Sequence, residues 1–263
     1  MRRRLVHRFF RQDFHVNPEN PCKSCQKLTG GFTLLVRSFP VAAILLVITS
    51  VVVNAQTTEF QSALKRGDAL VAREKYRAAI EEYNKVSSRE GDSYARAIYN
   101  IGVCHYELWQ TEEAIAFYKR AIELKQGNYP RASYALGVAL EDQGRPAESR
   151  AAYEQAITAS NRHFARAIYK LGLLAAKAGD FKNAAALFKE AASRDGEHVA
   201  ASHNNLGVML AQLGFVKEAE KEFVIALKAS NGRLGDAAHN LNLCRSLTAS
   251  FRQDDRIYKI SMN

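Results

Sequence analysis

Three sets of side chains recur in this chain at spacings that put them on one side of a helix. They are Arg96, Arg131 and Arg166; Tyr99, Tyr134 and Tyr169; and Val103, Val138, Leu173 and Val208. Each arginine stands three residues before its tyrosine, and each tyrosine four before its aliphatic residue, so the three share a helical face. Repeated along a stack of helices they form parallel ladders of guanidinium, phenol and aliphatic groups. Such a surface suits an extended chain carrying carboxylates, because a guanidinium pairs two N–H groups with one carboxylate. Asn100, Lys170, Asn204 and Asn205 add hydrogen-bonding groups beside the ladders, and Tyr106 and Glu141 lie a turn deeper. The competing reading makes the arginines a solvated first turn and the tyrosines packing residues.

Other candidate chemistry is sparse. The sequence contains no nucleophile motif, phosphate loop or His-Glu metal motif, so it reads as non-enzymatic and calls for no cofactor and no metal. His163 and His198 hold the same place in consecutive repeats and read as surface histidines, while His203 and His239 begin adjacent first helices and could approach each other without a completing ligand. Cys22 and Cys25 lack the second ligand pair a zinc site needs. Cys104 and Cys244 fall about four repeats apart and read as separate structural thiols. Trp109 sits in a turn, either as a wedge between helices or as an exposed contact residue.

The elements that position these residues follow from a period of 35. Gly67, Gly102, Gly137, Gly172 and Gly207 are spaced by 35 residues. Twelve residues after each comes Ala79, Ala114, Ser149, Ala184 or Ala219. Four further on stands an aromatic, Tyr83, Tyr118, Tyr153, Phe188 or Phe223, and three after that a small or short side chain, Val86, Ala121, Ala156, Ala191 or Ala226. Each period divides into two stretches of about 14 residues with apolar positions at helical spacing, so each is a helical hairpin. Gly144, Gly179 and Gly214 end the first helix in three repeats; Glu74 and Trp109 hold that place in the others, whose turns the sequence leaves open. Glycine inside a helix costs about 1 kcal/mol relative to alanine. Close approach of the paired helix must offset this, and the sequence points to the small residues of that helix as the surface each glycine meets.

The Leu-Gly pairs (Leu136-Gly137, Leu171-Gly172, Leu206-Gly207, with Ile101-Gly102), the small residue twelve on, the aromatic and the second small residue together resemble the tetratricopeptide repeat. The resemblance implies an all-α, right-handed α-solenoid of antiparallel helix hairpins whose first helices line a concave surface. It places repeats at 60–94, 95–129, 130–164, 165–199 and 200–234, a closing helix at 235–249 and a tail at 250–263, with 60–249 as one domain. The chain departs from the family in its period, 35 instead of 34, in lacking the closing proline, and in Arg66 at the leucine position of the first repeat. The concave residues only loosely resemble the clamp by which some family members hold a terminal carboxylate.

Charge is concentrated ahead of the repeats. The net charge is +10, but residues 1–40 carry eight Lys/Arg against two Asp/Glu, leaving +4 for the remainder, so nucleic acid is not an expected partner. Residues 41–53 form an uncharged apolar run with Arg37 before it and Val53-Asn54-Ala55 after it. This is the pattern of a secretory signal, too short to span a bilayer, with cleavage expected after Ala55 and residues 1–55 forming a basic leader. The alternatives are an uncleaved anchor holding the repeats on the periplasmic side of a membrane, and a mitochondrial transit peptide. A start of translation at Val36 would give the signal a compact basic beginning. The functional expectation is a non-enzymatic scaffold, periplasmic or secreted, holding an extended and partly acidic protein segment in its concave face. A structural or assembly subunit that uses its convex face or its ends is the second reading. Nothing in the sequence fixes the oligomeric state.

Overall fold

The computed structural model describes residues 59–194, 196 and 198–246. The basic leader, the apolar run, the expected cleavage site after Ala55, Cys22, Cys25 and the 250–263 tail lie outside the described residues. Among the described residues the fold is all-α, with no strand, and no helix is long and apolar enough to cross a membrane. The chain divides into two compact units after Ala121, a point inside a helix.

The first unit holds α1 (59–71), α2 (Tyr76–Tyr83), a short 3₁₀ turn (Ser88–Glu90), α3 (Asp92–Glu107) and most of α4 (Thr111–Leu124). The second holds α5 (Pro130–Asp142), α6 (Pro146–Ala159), α7 (Ala165–Lys177), α8 (Phe181–Ala192), α9 (Val199–Gln212), α10 (Val216–Ala229) and α11 (235–246). Within the second unit α5 packs on α6, α6 on α7, α7 on α8, α8 on α9 and α9 on α10, as in a helical-repeat solenoid. Pro130 and Pro146 open α5 and α6, where the missing N–H costs nothing. Asp180 caps α8, its carboxylate accepting from the Asn183 amide at 3.2 Å. The first repeat is the least regular, its second helix α2 spanning eight residues.

The turn that ends each first helix uses one backbone conformation throughout. Gly144, Gly179 and Gly214 take positive φ, and so do Glu74 (60°) and Trp109 (66°), the positions the sequence left open. At Trp109 the amides of Trp109 and Gln110 donate to the carbonyls of Tyr106 and His105 at 3.0 and 2.9 Å; at Gly144 the amides of Gly144 and Arg145 donate to those of Glu141 and Leu140 in the same pattern. The hydrogen bonds of the helix end thus impose the left-handed residue whatever its type. The Trp109 side chain is exposed (58%), which excludes the wedge.

The glycine column meets a different surface from the one expected. Each glycine faces the aromatic ring of its own hairpin: Gly67 the ring of Tyr83, Gly102 that of Tyr118, Gly137 that of Tyr153, Gly172 that of Phe188 and Gly207 that of Phe223. A Cβ at these positions would stand 2.4–2.8 Å from ring carbons, closer than any real contact. The small residues of the partner helix do not fill that space. They let the second helix approach closely enough for the ring to reach the glycine, and Ser149 shows the approach directly, its Oγ donating to the Gly137 carbonyl at 2.8 Å. All five rings are fully buried, and each contributes on the order of 2–3 kcal/mol through area removed from water. The closing helix α11 covers the last hairpin, Leu241 and Cys244 packing with Ala219 and Phe223.

Candidate functional site

In the first unit the organising residue is Asp68 on α1, which the sequence reading did not single out. Its Oδ1 accepts from the Tyr83 hydroxyl at 2.8 Å and from Asn100 Nδ2 at 3.1 Å, and its Oδ2 pairs with the Arg96 guanidinium. Arg96 and Asn100 are therefore already engaged within the fold. A trace of this was present in the sequence: Asp68 follows Gly67 directly, at the position where Val103, Val138, Leu173 and Val208 are aliphatic. Tyr99 is buried, its ring centroid 5.8 Å from that of Tyr118, and Val103 is buried beside it. Tyr106 is half-buried. The Tyr118 hydroxyl is buried without a hydrogen-bond partner, whereas burial and the nearby Asp68 carboxylate raise the pKa of the Tyr83 phenol above its ordinary range.

In the second unit the first helices α5, α7, α9 and α11 present a more varied row. Arg131, in the first turn of α5, is exposed and has no ion pair or hydrogen bond among the described residues. Tyr134 is buried, tilted against Tyr153 at 5.7 Å and edge-on to Phe164 at 5.4 Å, with Val138 buried a turn further on. Glu141 gathers three donors: Lys177 at 2.9 Å, the Tyr153 hydroxyl at 3.1 Å and Lys170 at 3.3 Å. Burial alone would raise the Glu141 pKa, but Lys170 and Lys177 outweigh it and hold the carboxyl below its ordinary range.

Tyr169 on α7 is half-buried, packed on Phe188 and stacked on His198 at 4.8 Å with the rings parallel. Its hydroxyl accepts from Asn205 Nδ2 at 3.2 Å. Asn204 donates to Asn205 Oδ1 at 3.2 Å and accepts from Asn240 on α11 at 3.1 Å, giving a line of amides across α7, α9 and α11. Arg166, Leu173 and Val208 are half-buried.

The tyrosine ladder thus differs from the expected surface. Tyr99 and Tyr134 point into their own hairpins against the aromatic column, leaving Tyr169 as the member with substantial exposure. The position three before the glycine sits over the ring that the glycine admits, so the second helix covers it. Of the two histidines expected at the surface, His163 is exposed and His198 is not. His198 is half-buried, stacked on Tyr169, and burial, with Arg166 and Lys170 adding to it, pushes its pKa down to about 4. His203 turns to α10 and its Nδ1 lies 2.7 Å from Glu222 Oε2, while His239 is exposed. Cys104 and Cys244 are buried free thiols, and burial pushes the Cys104 thiol up to about 12. Among the described residues no group of three or more His, Cys, Asp or Glu is placed to hold a metal ion.

Chemically, the arrangement offers hydrogen bonds and fixed charge. A peptide backbone can exchange its N–H and C=O groups with the amides of Asn205 and Asn240, and Arg131 is available to a carboxylate.

Several solved structures share the fold. A MamA protein is 23% identical with a TM-score of 0.54, the match covering 65% of this chain and 91% of that one. MamA from Desulfovibrio magneticus RS-1, residues 41 to the end, is 19% identical with a TM-score of 0.54, covering 67% and 97%. YrrB, described as a TPR protein with an unusual peptide-binding site, is 20% identical with a TM-score of 0.53, covering 67% and 89%. At these identities the likeness shows the fold alone. Comparison with curated protein sequences gives no match. The family model described as the tetratricopeptide repeat matches residues 64–129, 127–163 and 169–233, most of the chain. With that coverage, and with the glycine, aromatic and small-residue columns assembled as hairpins, the chain belongs to the tetratricopeptide-repeat family.

Proposed function

We propose that this protein is a non-catalytic interaction scaffold that holds an extended, partly acidic segment of another protein on the first-helix face of its second unit. The observation that carries the reading is the hydrogen-bonded row from Tyr169 through Asn205 and Asn204 to Asn240, which spans three successive first helices, with an exposed arginine, Arg131, in the first turn of α5. Arg131, Tyr169, Lys170, Leu173, Asn205 and Val208 are the contact residues, with Asn204 holding Asn205 in place. A preformed surface of this kind loses little on ordering, which favours binding. YrrB, a protein of the same fold, is described as having a peptide-binding site, which agrees with this use of the fold.

The location we propose is outside the cytoplasm. The apolar run at 41–53 and the Val53-Asn54-Ala55 sequence support it, with Gln56 as the first mature residue. Intact mass of the protein from its native host tests this: a mature pool that retains peptides from residues 1–35 overturns it.

The test of the binding reading is site-specific photocrosslinking in the native host. A photoreactive residue at Leu173 should capture a defined partner, and one at exposed Lys182 on α8 should not. Arg131→Glu should weaken the Leu173 crosslink. Crosslinks from Lys182 in place of Leu173 would overturn the reading in favour of an assembly subunit that uses its second-helix face.

A further inference from the structure

The second helices of the last two hairpins carry a charge that the second helix before them lacks. On α8, Lys182 and Lys189 are seven residues apart; on α10, Lys217, Lys221 and Lys228 are four and seven apart, so each set lies along one helical face. Lys182 and Lys217 hold the same repeat position, 35 residues apart, which puts the two sets on equivalent faces of consecutive hairpins. All five side chains are exposed, and none makes an ion pair or hydrogen bond among the described residues. On α6 the positions of Lys217, Lys221 and Lys228 are filled by Ala147, Ala151 and Thr158, so the repeat itself does not require lysine there.

The acids of these helices leave the charge standing. Glu190 is held by Arg162 through hydrogen bonds of 2.9 and 2.5 Å and lies 3.6 Å from Arg194. Glu220 accepts from Arg245 at 2.8 Å, and Glu222 is turned to His203 Nδ1 at 2.7 Å. Glu218 is the exposed acid that remains against five lysines. Among the lysines stand Ala186, which projects only a methyl group, and Ile225, 40% exposed, where α6 and α8 have Gln155 and Glu190.

Lysine decides which partner such a face suits. Protein interfaces are enriched in arginine and aromatic side chains and depleted in lysine, whose ammonium is strongly hydrated and has no planar fork to register on a carboxylate. The same property suits an array of anionic lipid headgroups, which are themselves hydrated and demand no fixed geometry, so that attraction accumulates lysine by lysine. An exposed aliphatic side chain among the charges can enter the headgroup layer. We propose that the outer face of α8 and α10 docks on a membrane surface bearing anionic lipids, with Lys182, Lys189, Lys217, Lys221 and Lys228 in contact and Ile225 among them. The segment-binding face lies on the first helices, so this inference does not depend on it.

The test is co-sedimentation of the full chain with phosphatidylcholine vesicles containing ~30% phosphatidylglycerol, against vesicles of phosphatidylcholine alone. Binding should require the anionic lipid and be lost at high salt, because exposed charges are screened. Replacing the five lysines by glutamine should weaken it at least ~10-fold with the thermal transition retained. A comparison variant removes the same charge from the first unit, at exposed Lys65, Arg73, Lys75, Arg77 and Lys119, and should change binding less than ~3-fold. Both variants keep the basic residues 1–40, whose contribution is therefore common to the two. Lys217→Gln/Lys221→Gln alone should weaken binding by ~3-fold or more, and it decides the question if the larger variant unfolds. Equal losses from the two five-residue variants, equal binding to both kinds of vesicle, or binding to neither overturns the proposal. So does a preference for polyglutamate over anionic vesicles that the five substitutions abolish, which gives the face to an acidic protein. None of these results bears on the groove reading, which the crosslink at Leu173 tests.

Discussion

The two units use the same repeat columns and reach opposite outcomes on their first-helix faces. In the first unit one residue, Asp68, takes the place of an aliphatic side chain and draws Tyr83, Asn100 and Arg96 onto a single carboxylate. That face is closed by its own hydrogen bonds. In the second unit the equivalent positions are Val138, Leu173 and Val208, Arg131 has no partner among the described residues, and the asparagines of α9 and α11 form a line. A carboxylate placed one residue after the repeat glycine thus turns potential binding groups into structural ones. Recognition and stability compete for the same side chains, and each unit settles that competition differently.

The largest expected effect tests what the units have in common. Gly137→Leu places a Cβ where the Tyr153 ring stands 2.5 Å away, and Gly102→Leu does the same against Tyr118. Each should cost ~3 kcal/mol or more, at or beyond the upper end of ordinary overpacking, measured by chemical denaturation. An unchanged midpoint in either variant would remove the glycine-to-ring contact from the account of the fold.

The next effect separates the units. Asp68→Ala leaves the Tyr83 hydroxyl and Asn100 without their acceptor and should cost ~2–3 kcal/mol. Arg131→Ala in the second unit, which breaks nothing, should stay within ~0.5 kcal/mol. Equal costs from the two would erase the distinction between a closed and an open face.

Acid should act on the second unit through His198. Its folded pKa of about 4 lies below the ordinary 6.5, so the unfolded chain takes up this proton first. The sign follows from linkage: the contribution is fully present above about pH 6.5 and is lost as pH falls towards about 4, by ~1–3 kcal/mol. Stability curves at pH 7 and pH 4.5 should differ less in His198→Phe than in the parent protein. A parallel pH dependence in the two would dissociate the acid response from this ring.

The smallest effect compares three phenols. Tyr118→Phe removes a buried hydroxyl that has no partner and should stabilise the first unit by up to ~1 kcal/mol. Tyr83→Phe and Tyr153→Phe each remove a bonded hydroxyl and should cost about that much. Thermal denaturation of the three variants gives the order directly, and a loss of stability on Tyr118→Phe would show that its hydroxyl is satisfied.

The hairpins were legible because their causes are local and repeated: apolar spacing marks the helices, and the columns from Gly102 to Gly207 mark the register. The turn conformation at Trp109 was less legible because it is dictated by hydrogen bonds at the helix end and not by residue type. On the candidate face, Arg131 and the asparagines could be found from spacing on a helix. The burial of Tyr99 and Tyr134 could not, since a helical wheel gives a side chain's direction but not what stands opposite it.

The sequence by itself determined the repeat, its helices and the residues that share a face, all of which follow from short-range geometry. Only the tertiary structure decided that the glycines admit aromatic rings and that Asp68 gathers groups up to 32 residues away. These are contacts between helices, fixed by close packing of one hairpin on the next, and no periodicity along a single chain specifies which donor will meet which acceptor.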